Sequence, residues 1–369
     1  MFDGFYRGKR VFVTGHTGFK GSWLSAWLLK LGATVAGYSV GVRTKPSHFE
    51  VLDLGRRLAH FVGDIRRLDS LTDAFNAFRP DVVFHLAAQA ITRLSYEEPK
   101  LTLDTNLGGT VNILEAMRTT PSTQVGVLIT SDKCYENVEW EYGYRESDRL
   151  GGKDPYSASK ACAEIAFSAY ARSFFKAPGS PAVATARAGN VIGGGDWALD
   201  RIVPDCVRAW TDGKPVLIRY PRAVRPWQHV LEPLSGYLWL GARLYEKREG
   251  LAGESFNFGP SDETEHSVLD LVSEMQKVWP SGEWCQEVVP DAGKHEASLL
   301  KLNCDKAFSR LPWRATFTFA EAARITAEWY KVFYESPAKV AACTAQHIDY
   351  FTDLARDRRQ SWSASPTTG

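Results

Sequence analysis

The chain has 369 residues, 44% of them hydrophobic, with a formal net charge of +1. That length holds a full core in one large or two modest domains, and a near-neutral charge gives no bulk attraction to nucleic acid or an anionic membrane. Six cysteines without a Cys-x-x-Cys pair argue against a disulfide framework or a zinc site, and no apolar signal core or bilayer-length stretch is present, so the expectation is a reduced, soluble, cytoplasmic protein.

Arg10-Val11-Phe12-Val13-Thr14 reads as a short strand. The turn Gly15-His16-Thr17-Gly18-Phe19-Lys20-Gly21 follows, and Trp23 to Leu29 has a helical pattern. Strand, glycine-rich turn and helix start together form a pyrophosphate cradle: the glycines let backbone amides approach, and the helix N-terminus adds partial positive charge. The cofactor candidates here are Gly15, Thr17, Gly18, Phe19 and Gly21. The spacing is Gly-x-x-Gly-x-x-Gly rather than Gly-x-Gly-x-x-Gly, and the alternative is a plain tight turn before a core helix.

Ala33 to Val40 reads as a second strand without the terminal acid that commonly binds a ribose. Arg43 and Lys45 follow, either as contacts to a 2′-phosphate or as solvated loop charges. His60 to Ile65 reads as a third strand, with Asp64 and Ile65 as an adenine contact or a plain turn. Asp81 to Gln89 reads as a fourth strand running into a turn in which Leu86, Ala87 and Ala88 leave room for a cofactor. His85 reads as a core histidine. Pro99 starts a long helix through Met117. Its Asn106 either bonds the backbone of facing strands or holds a water near Tyr156 and Lys160, and these roles are compatible.

Val125 to Ile129 is an apolar run of buried-strand length, and it leads into Thr130-Ser131-Asp132-Lys133-Cys134-Tyr135. Polar residues at such a strand end lie where parallel α/β sheets bind ligands. Further on, Pro155 precedes Tyr156-Ser157-Ala158-Ser159-Lys160. Tyr156 and Lys160 share one helix face, and an ammonium beside a phenol lowers its pKa below about 10. Such a phenolate is suited to taking a proton from a sugar hydroxyl.

Ala182 to Ala186 reads as a sixth strand, after which loops dense in Gly, Pro, Trp and Arg take over. Arg201, Arg219, Arg222 and Arg225 fall in one short span, and guanidinium groups pair well with phosphate oxygens. Arg225, in Arg225-Pro226-Trp227-Gln228-His229-Val230, is the candidate for a substrate diphosphate. Glu232 to Glu246 reads as a helix returning to the sheet, Ser255 to Gly259 as a strand, and Val268 to Val278 as a helix of a smaller lobe. Lys294-His295-Glu296-Ala297 has no further ligands at metal spacing, so no metal is expected. The fold expected is α/β: a Rossmann-type doubly wound parallel sheet over residues 1–187, with 227–258 returning to it. A smaller C-terminal substrate-binding lobe takes 188–226 and 259–340, and a polar, flexible tail takes 357–369.

Over residues 8 to 335 the sequence resembles the extended short-chain dehydrogenase/reductases that modify nucleotide sugars. The general motifs are Thr14 to Gly21, His85-Leu86-Ala87-Ala88-Gln89, and Tyr156 with Lys160. The specific ones are Thr130 to Asn137, Gly189-Asn190-Val191-Ile192-Gly193-Gly194-Gly195-Asp196-Trp197, and Arg225 to Val230. The resemblance implies bound NAD, a nucleotide-sugar substrate and a homodimer or higher homo-oligomer. It implies that Ser131, Tyr156 and Lys160 form an oxidoreductase core, with Tyr156 and Lys160 also touching the cofactor. Asp132 and Lys133 would then carry out a dehydration, Asp132 as acid and Lys133 as a base whose pKa must fall from about 10.4. Gln89, Arg93, Asn190, Arg201, Arg225 and His229 are the expected substrate contacts. The rival readings are an epimerase or reductase on the same fold, which needs no acid–base pair after the serine, and a non-catalytic dinucleotide sensor.

Overall fold

The computed structural model describes residues 1–246, 249–260, 265–286 and 299–364. The expected metal-free stretch Lys294 to Ala297 lies outside the described residues. β1 (Arg10–Thr14), β2 (Thr34–Ser39), β3 (Ala59–Val62), β4 (Val82–His85), β5 (Val125–Ile129), β6 (Ala182–Ala188) and β7 (Ser255–Phe258) form one seven-stranded sheet in the order β7-β6-β5-β4-β1-β2-β3. Every pairing in it is parallel. β1, β4, β5 and β6 read as continuous apolar runs because helices cover both faces of a parallel sheet. The order reverses between β1 and β4, and a crevice opens there beyond the strand ends.

Six helices bear on the site: α1 (Phe19–Lys30), α2 (Gly109–Thr119), α3 (Pro155–Phe174), α4 (Leu231–Glu246), α5 (Phe319–Glu335) and α6 (Val340–Asp357). The helix expected from Pro99 to Met117 is present and runs on to Thr119, but not as one regular α-helix. A short helix, Pro99–Leu103, passes through one π-helical turn, Asp104–Gly108, before α2 begins. Such a turn inserts an extra residue and re-aims what it carries, here Asn106. Two small parallel pairs, Val191–Ile192 with Gln228–His229 and Val216–Ile218 with Trp284–Gln286, stand apart from the main sheet. No helix among the described residues is long and apolar enough to cross a membrane.

Residues 357–364 correct the expectation of a flexible tail over 357–369, whose last five residues lie outside the described residues. Trp362 is fully buried, stacked on Phe2 at 5.2 Å and Phe351 at 5.4 Å, with Trp27 edge-on at 6.0 Å. The Met1 ammonium donates to the Ala364 carbonyl at 3.0 Å, and Arg358 pairs with Glu321 at 2.8 Å. A large ring seated among three others repays the ordering of this otherwise polar segment.

Trp23 of α1 is ringed by three buried histidines, His48 at 4.9 Å, His229 at 5.9 Å and His347 at 6.5 Å between ring centroids. Trp329 donates its Nε1 to the Thr344 hydroxyl at 2.9 Å, and the same hydroxyl lies 3.2 Å from His48 Nε2. Burial holds His48 down at about 3, His347 at about 4, and His229 well below the usual histidine value. These rings are neutral in the folded chain, whereas the unfolded chain binds protons near pH 6.5. Their contribution to stability is therefore full above pH 6.5 and is lost as pH falls below it, by about 1.4 kcal/mol per pH unit for each histidine. Urea unfolding at pH 7 and pH 5 should show a clear loss at the lower pH, and His347→Gln should flatten the dependence. A parent protein equally stable at both would mean that the rings are not shielded from protons.

Candidate functional site

The crevice between β1 and β4 is closed by backbone contact. Gly15 has φ +71°, and a Cβ on it would lie 2.8 Å from the Ala87 amide nitrogen. Gly21, in the first turn of α1, would place a Cβ 2.2 Å from the Gly15 carbonyl oxygen. Gly18 is the N-cap of α1 and brings no side chain to the helix amides, so they face the crevice. Thr17 ties this turn to the end of β2, donating to the Gly41 carbonyl at 2.8 Å and lying 2.9 Å from the Ser39 hydroxyl. The Phe19 ring packs beneath Gly193. His85 is the core histidine expected: Nδ1 lies 2.8 Å from the Thr14 hydroxyl, and burial lowers it to about 3. A helix end stripped of side chains and a cradle that any Cβ would fill fit a dinucleotide.

The flanking residues are more committed to the protein itself. Arg66 engages Asp64 through its guanidinium at 2.5 Å and its backbone N–H at 2.9 Å, holding the carboxyl below its usual range, with Arg43 adding to the pull. Ile65 is buried against Gly109, and its carbonyl accepts from Asn112 at 2.9 Å. Asn106 bonds backbone, the first of its two expected roles. Its Oδ1 accepts from the Gln89 N–H at 2.8 Å, and its Nδ2 donates to the Gln89 carbonyl at 3.0 Å and to Ser159 at 2.8 Å. The Gln89 side chain is itself occupied, bonding both backbone groups of Ile91 and the Thr102 hydroxyl. Asn106 thus fixes the loop after β4 to α3.

Beyond β5 the chain makes a single 3-10 turn, Asp132–Cys134, capped by Ser131. The Ser131 hydroxyl accepts from the Lys133 N–H at 3.2 Å and donates to Asp132 Oδ1 at 2.9 Å. Asp132 is buried, so the pair is not a surface ion pair. Burial raises its carboxyl, against the Ser131 bond and the charges of Lys133 and Lys20. Lys133 Nζ reaches the Thr92 hydroxyl at 3.4 Å. Across the crevice α3 starts at Pro155, its N-cap Asp154 accepting from Ser157 N–H at 2.9 Å. Tyr156 and Lys160 lie one turn apart on the buried face.

The expected depression of the Tyr156 phenol is corrected. Burial pushes it up to about 12, and the Ser131 hydrogen bond and the Arg201 charge pull only partway back. Burial lowers Lys160 to about 8, with Cys134 and Glu164 opposing. Lys20 is a group that motif reading passed over as part of the glycine turn. It lies near Asp132, Lys160, Arg201 and Asp196, and burial with the Arg201 charge lowers it to about 8. The available signal was a lysine between Phe19 and Gly21 in an otherwise apolar helix start.

The arginine-rich side is organised by two aspartates. Asp200 holds Arg93 at 2.6 Å and Arg219 at 3.6 Å, and Asp196 holds Arg201 at 2.8 Å. Arg225 donates to the Val224 carbonyl at 2.7 Å. The Asn190 carbonyl accepts from Gln228 N–H at 3.1 Å, which places Asn190 at the start of the small strand pair. His229 does not join them. It is fully buried, edge-on to Trp23 and to Phe317 at 5.5 Å, because its two-residue strand turns the ring into the aromatic core. A substrate contact by His229 is therefore withdrawn.

A family model described as GDP-mannose 4,6 dehydratase matches residues 12–326. The chain is 44% identical over 357 residues to CDP-glucose 4,6-dehydratase of Salmonella typhimurium, covering 95% of this chain and 99% of that one. It is 27% identical over 340 residues to a probable dTDP-glucose 4,6-dehydratase of Sinorhizobium fredii, covering 87% and 92%. Among solved structures, the UDP-glucose 4-epimerase of Thermus thermophilus in complex with NAD superposes with TM-score 0.75 at 25% identity, covering 87% of this chain and 99% of that one. A dTDP-glucose 4,6-dehydratase of Bacillus anthracis in complex with NAD shares the fold, with TM-score 0.72 at 21% identity over 89% of this chain and 98% of that one. The parallel α/β fold is shared with these solved structures, both of which hold NAD. The chain belongs to the GDP-mannose 4,6 dehydratase family.

The Gly15–Gly21 contact leaves no room for a side chain. Gly21→Ala should cost about 1–3 kcal/mol of stability by overpacking and weaken dinucleotide binding by moving the turn. Chemical unfolding and NAD titration of the variant check this, and parent-like values in both would mean that the turn has slack.

Proposed function

We propose that this protein is an NAD-dependent CDP-glucose 4,6-dehydratase. It converts CDP-D-glucose to CDP-4-keto-6-deoxy-D-glucose and water, a step toward deoxysugars of the O-antigen type. The observation that carries the reading is the buried Asp132, raised by its burial and followed by Lys133, beside Ser131 and across the crevice from Tyr156. The 44% identity to a CDP-glucose 4,6-dehydratase over nearly the whole chain supports the same choice. An epimerase or reductase needs the serine, tyrosine and lysine but has no use for an acid and a base next to the serine.

The glycine turn, Leu86 to Ala88 and Lys160 would hold the dinucleotide. NAD, when bound, supplies the acceptor for a hydride from C4 and the donor of that hydride to C6. Tyr156 takes the proton of the glucose 4-hydroxyl, with Ser131 bonding the same oxygen. Lys160, one turn away on the same buried face and lowered to about 8 by burial with Glu164 opposing, would favour the phenolate when it carries its charge. Lys133 then takes the C5 proton, made acidic by the new 4-ketone, and returns it to C5 when the 5,6-double bond is reduced. Asp132, raised by burial and so able to hold a proton, gives it to the departing O6, which leaves as water. Arg201, Arg219 and Arg225 line the side on which a diphosphate would lie. NAD is preferred to NADP, since a recycled hydride needs no separate reduced pool.

Incubation with CDP-glucose or dTDP-glucose, with and without added NAD, tests the reading by formation of a 4-keto-6-deoxy product. CDP-glucose should be the better substrate, and absence of product from both would overturn the proposal. Tyr156→Phe should abolish turnover in a folded protein. Asp132→Asn and Lys133→Met should still reduce bound NAD when substrate is added, but form product about 10²–10⁴-fold more slowly. Stopped-flow absorbance at the reduced-nicotinamide band, set beside product assay, separates the steps. Failure of either variant to reduce the cofactor would place that residue in the oxidation instead.

A further inference from the structure

Tyr156, Lys160 and Glu164 follow one another at single-turn spacing on the buried face of α3. Glu164 is a carboxylate with 1% side-chain exposure, and it bonds three different strands. Its Oε1 accepts from the Thr130 hydroxyl at the end of β5. Its Oε2 accepts from Thr185 of β6 at 2.9 Å, from Ser255 of β7 at 3.0 Å and from Arg187 Nη2 of β6 at 2.7 Å. Arg187, with 3% side-chain exposure, then uses Nη1 to donate to the Tyr135 hydroxyl at 2.8 Å and to the Glu146 carbonyl at 3.3 Å. Tyr135 passes the chain on, donating to Asn257 of β7 at 2.7 Å.

Thr130 and Tyr135 are the two ends of the segment that carries Ser131, Asp132 and Lys133. One end is bonded to Glu164 and the other to Arg187. A buried ion pair is weak evidence for stability, because desolvating two charges costs several kcal/mol and apolar replacements are often neutral or better. Its geometry fits a different role: a planar fork and a carboxylate fix distances and angles among the elements they join.

Resting on the dehydratase reading above, we infer that the Glu164–Arg187 pair is a positioning device. It staples both ends of the Ser131–Lys133 segment to the helix that presents Tyr156 and Lys160. Neither residue touches the reacting atoms. Together they set the separation between the oxidation pair and the elimination pair, so that one bound sugar can meet both.

Three variants of the full chain test this. Thr130→Val and Tyr135→Phe each delete one hydroxyl at an end of the staple and leave the ion pair whole. Arg187→Lys keeps the charge and loses the fork. Each is compared with the parent for thermal midpoint, for KM and kcat with CDP-glucose, and for the rate of reduction of bound NAD on mixing. The expected result is a thermal midpoint close to the parent, KM within about twofold, and kcat lowered about 10- to 100-fold, the cost of a displacement of about 1 Å. Thr130→Ser, which keeps the hydroxyl, should restore the rate. Parent-like kcat in both hydroxyl variants would overturn the inference. So would a lowered thermal midpoint with kcat retained, which would make the pair a brace of the fold alone. Should Arg187→Lys not fold, the hydroxyl variants decide the matter by themselves. A parent chain inert toward CDP-glucose overturns the dehydratase reading and this inference with it, a result distinct from an active parent with equally active variants.

Discussion

The site depends on how closely two loops approach at the middle of the sheet. Gly15 comes so near Ala87 that an added Cβ would lie 2.8 Å from its nitrogen. The Thr14 hydroxyl bridges the same gap, 2.8 Å from His85 and accepting from the Ala87 N–H at 3.2 Å. Because β1 and β4 are neighbours whose chains leave on opposite sides, this contact forms the floor of a crevice. The amides of α1 open onto one wall. The Gln89 backbone forms the other, held by Asn106, which also donates to Ser159 on the helix of Tyr156. A larger residue at position 15 would part the loops and move both walls.

Burial then sorts the ionisable groups into two sets. Asp132 and Tyr156 are pushed up and Lys160 is pulled down, each first by loss of water and each toward its neutral form. That moves Asp132 and Lys160 toward the pH at which proton exchange costs least, whereas Tyr156, at about 12, moves away from it. Glu164 and Arg187 are buried as deeply, yet burial is outweighed by their mutual attraction, and Glu164 stays below the usual carboxylate range. Glu164 and Arg187 thus form an ionised pair beneath groups that burial biases toward their neutral forms.

Much of this could be read from the residues alone. β1, β4, β5 and β6 are apolar runs bounded by turn residues, and parallel strands covered on both faces look like that. Tyr156 and Lys160 were legible because their spacing matches one helix turn. His229 misled because a two-residue strand has no period by which to assign a face. Trp362 misled because Phe2 and Trp27 come from the other end of the chain and only Phe351 from the preceding helix, so locally it is one ring in a polar run. Glu164 stood in plain view one turn after Lys160, but its meaning needs Arg187, which only sheet pairing brings near. The phenol of Tyr156 was misjudged for a related reason: spacing reveals a neighbouring charge, whereas the extent of burial is a property of the whole fold.

The C-terminal helices show how far such dependence runs. The family model stops at residue 326, within α5. Trp329 and Tyr330 lie just beyond it. The Trp329 ring packs so tightly on Gly194 that an added Cβ would fall 2.0 Å from it, and Trp23 donates to the Gly194 carbonyl at 2.8 Å. The Tyr330 hydroxyl donates to the Asp196 carbonyl at 2.5 Å and accepts from its N–H at 3.1 Å. Asp196, fixed in this way, holds Arg201, whose charge together with the Ser131 hydrogen bond draws the Tyr156 phenol down from where burial puts it. α6 supports this from behind, since Thr344 accepts from Trp329 and bonds His48. Tyr330 therefore bears on the acidity of Tyr156 through Asp196 and Arg201 without itself reaching the crevice. Differences among family members in this outer helical layer would be expected to alter substrate placement and base strength while leaving the Tyr-x-x-x-Lys motif unchanged.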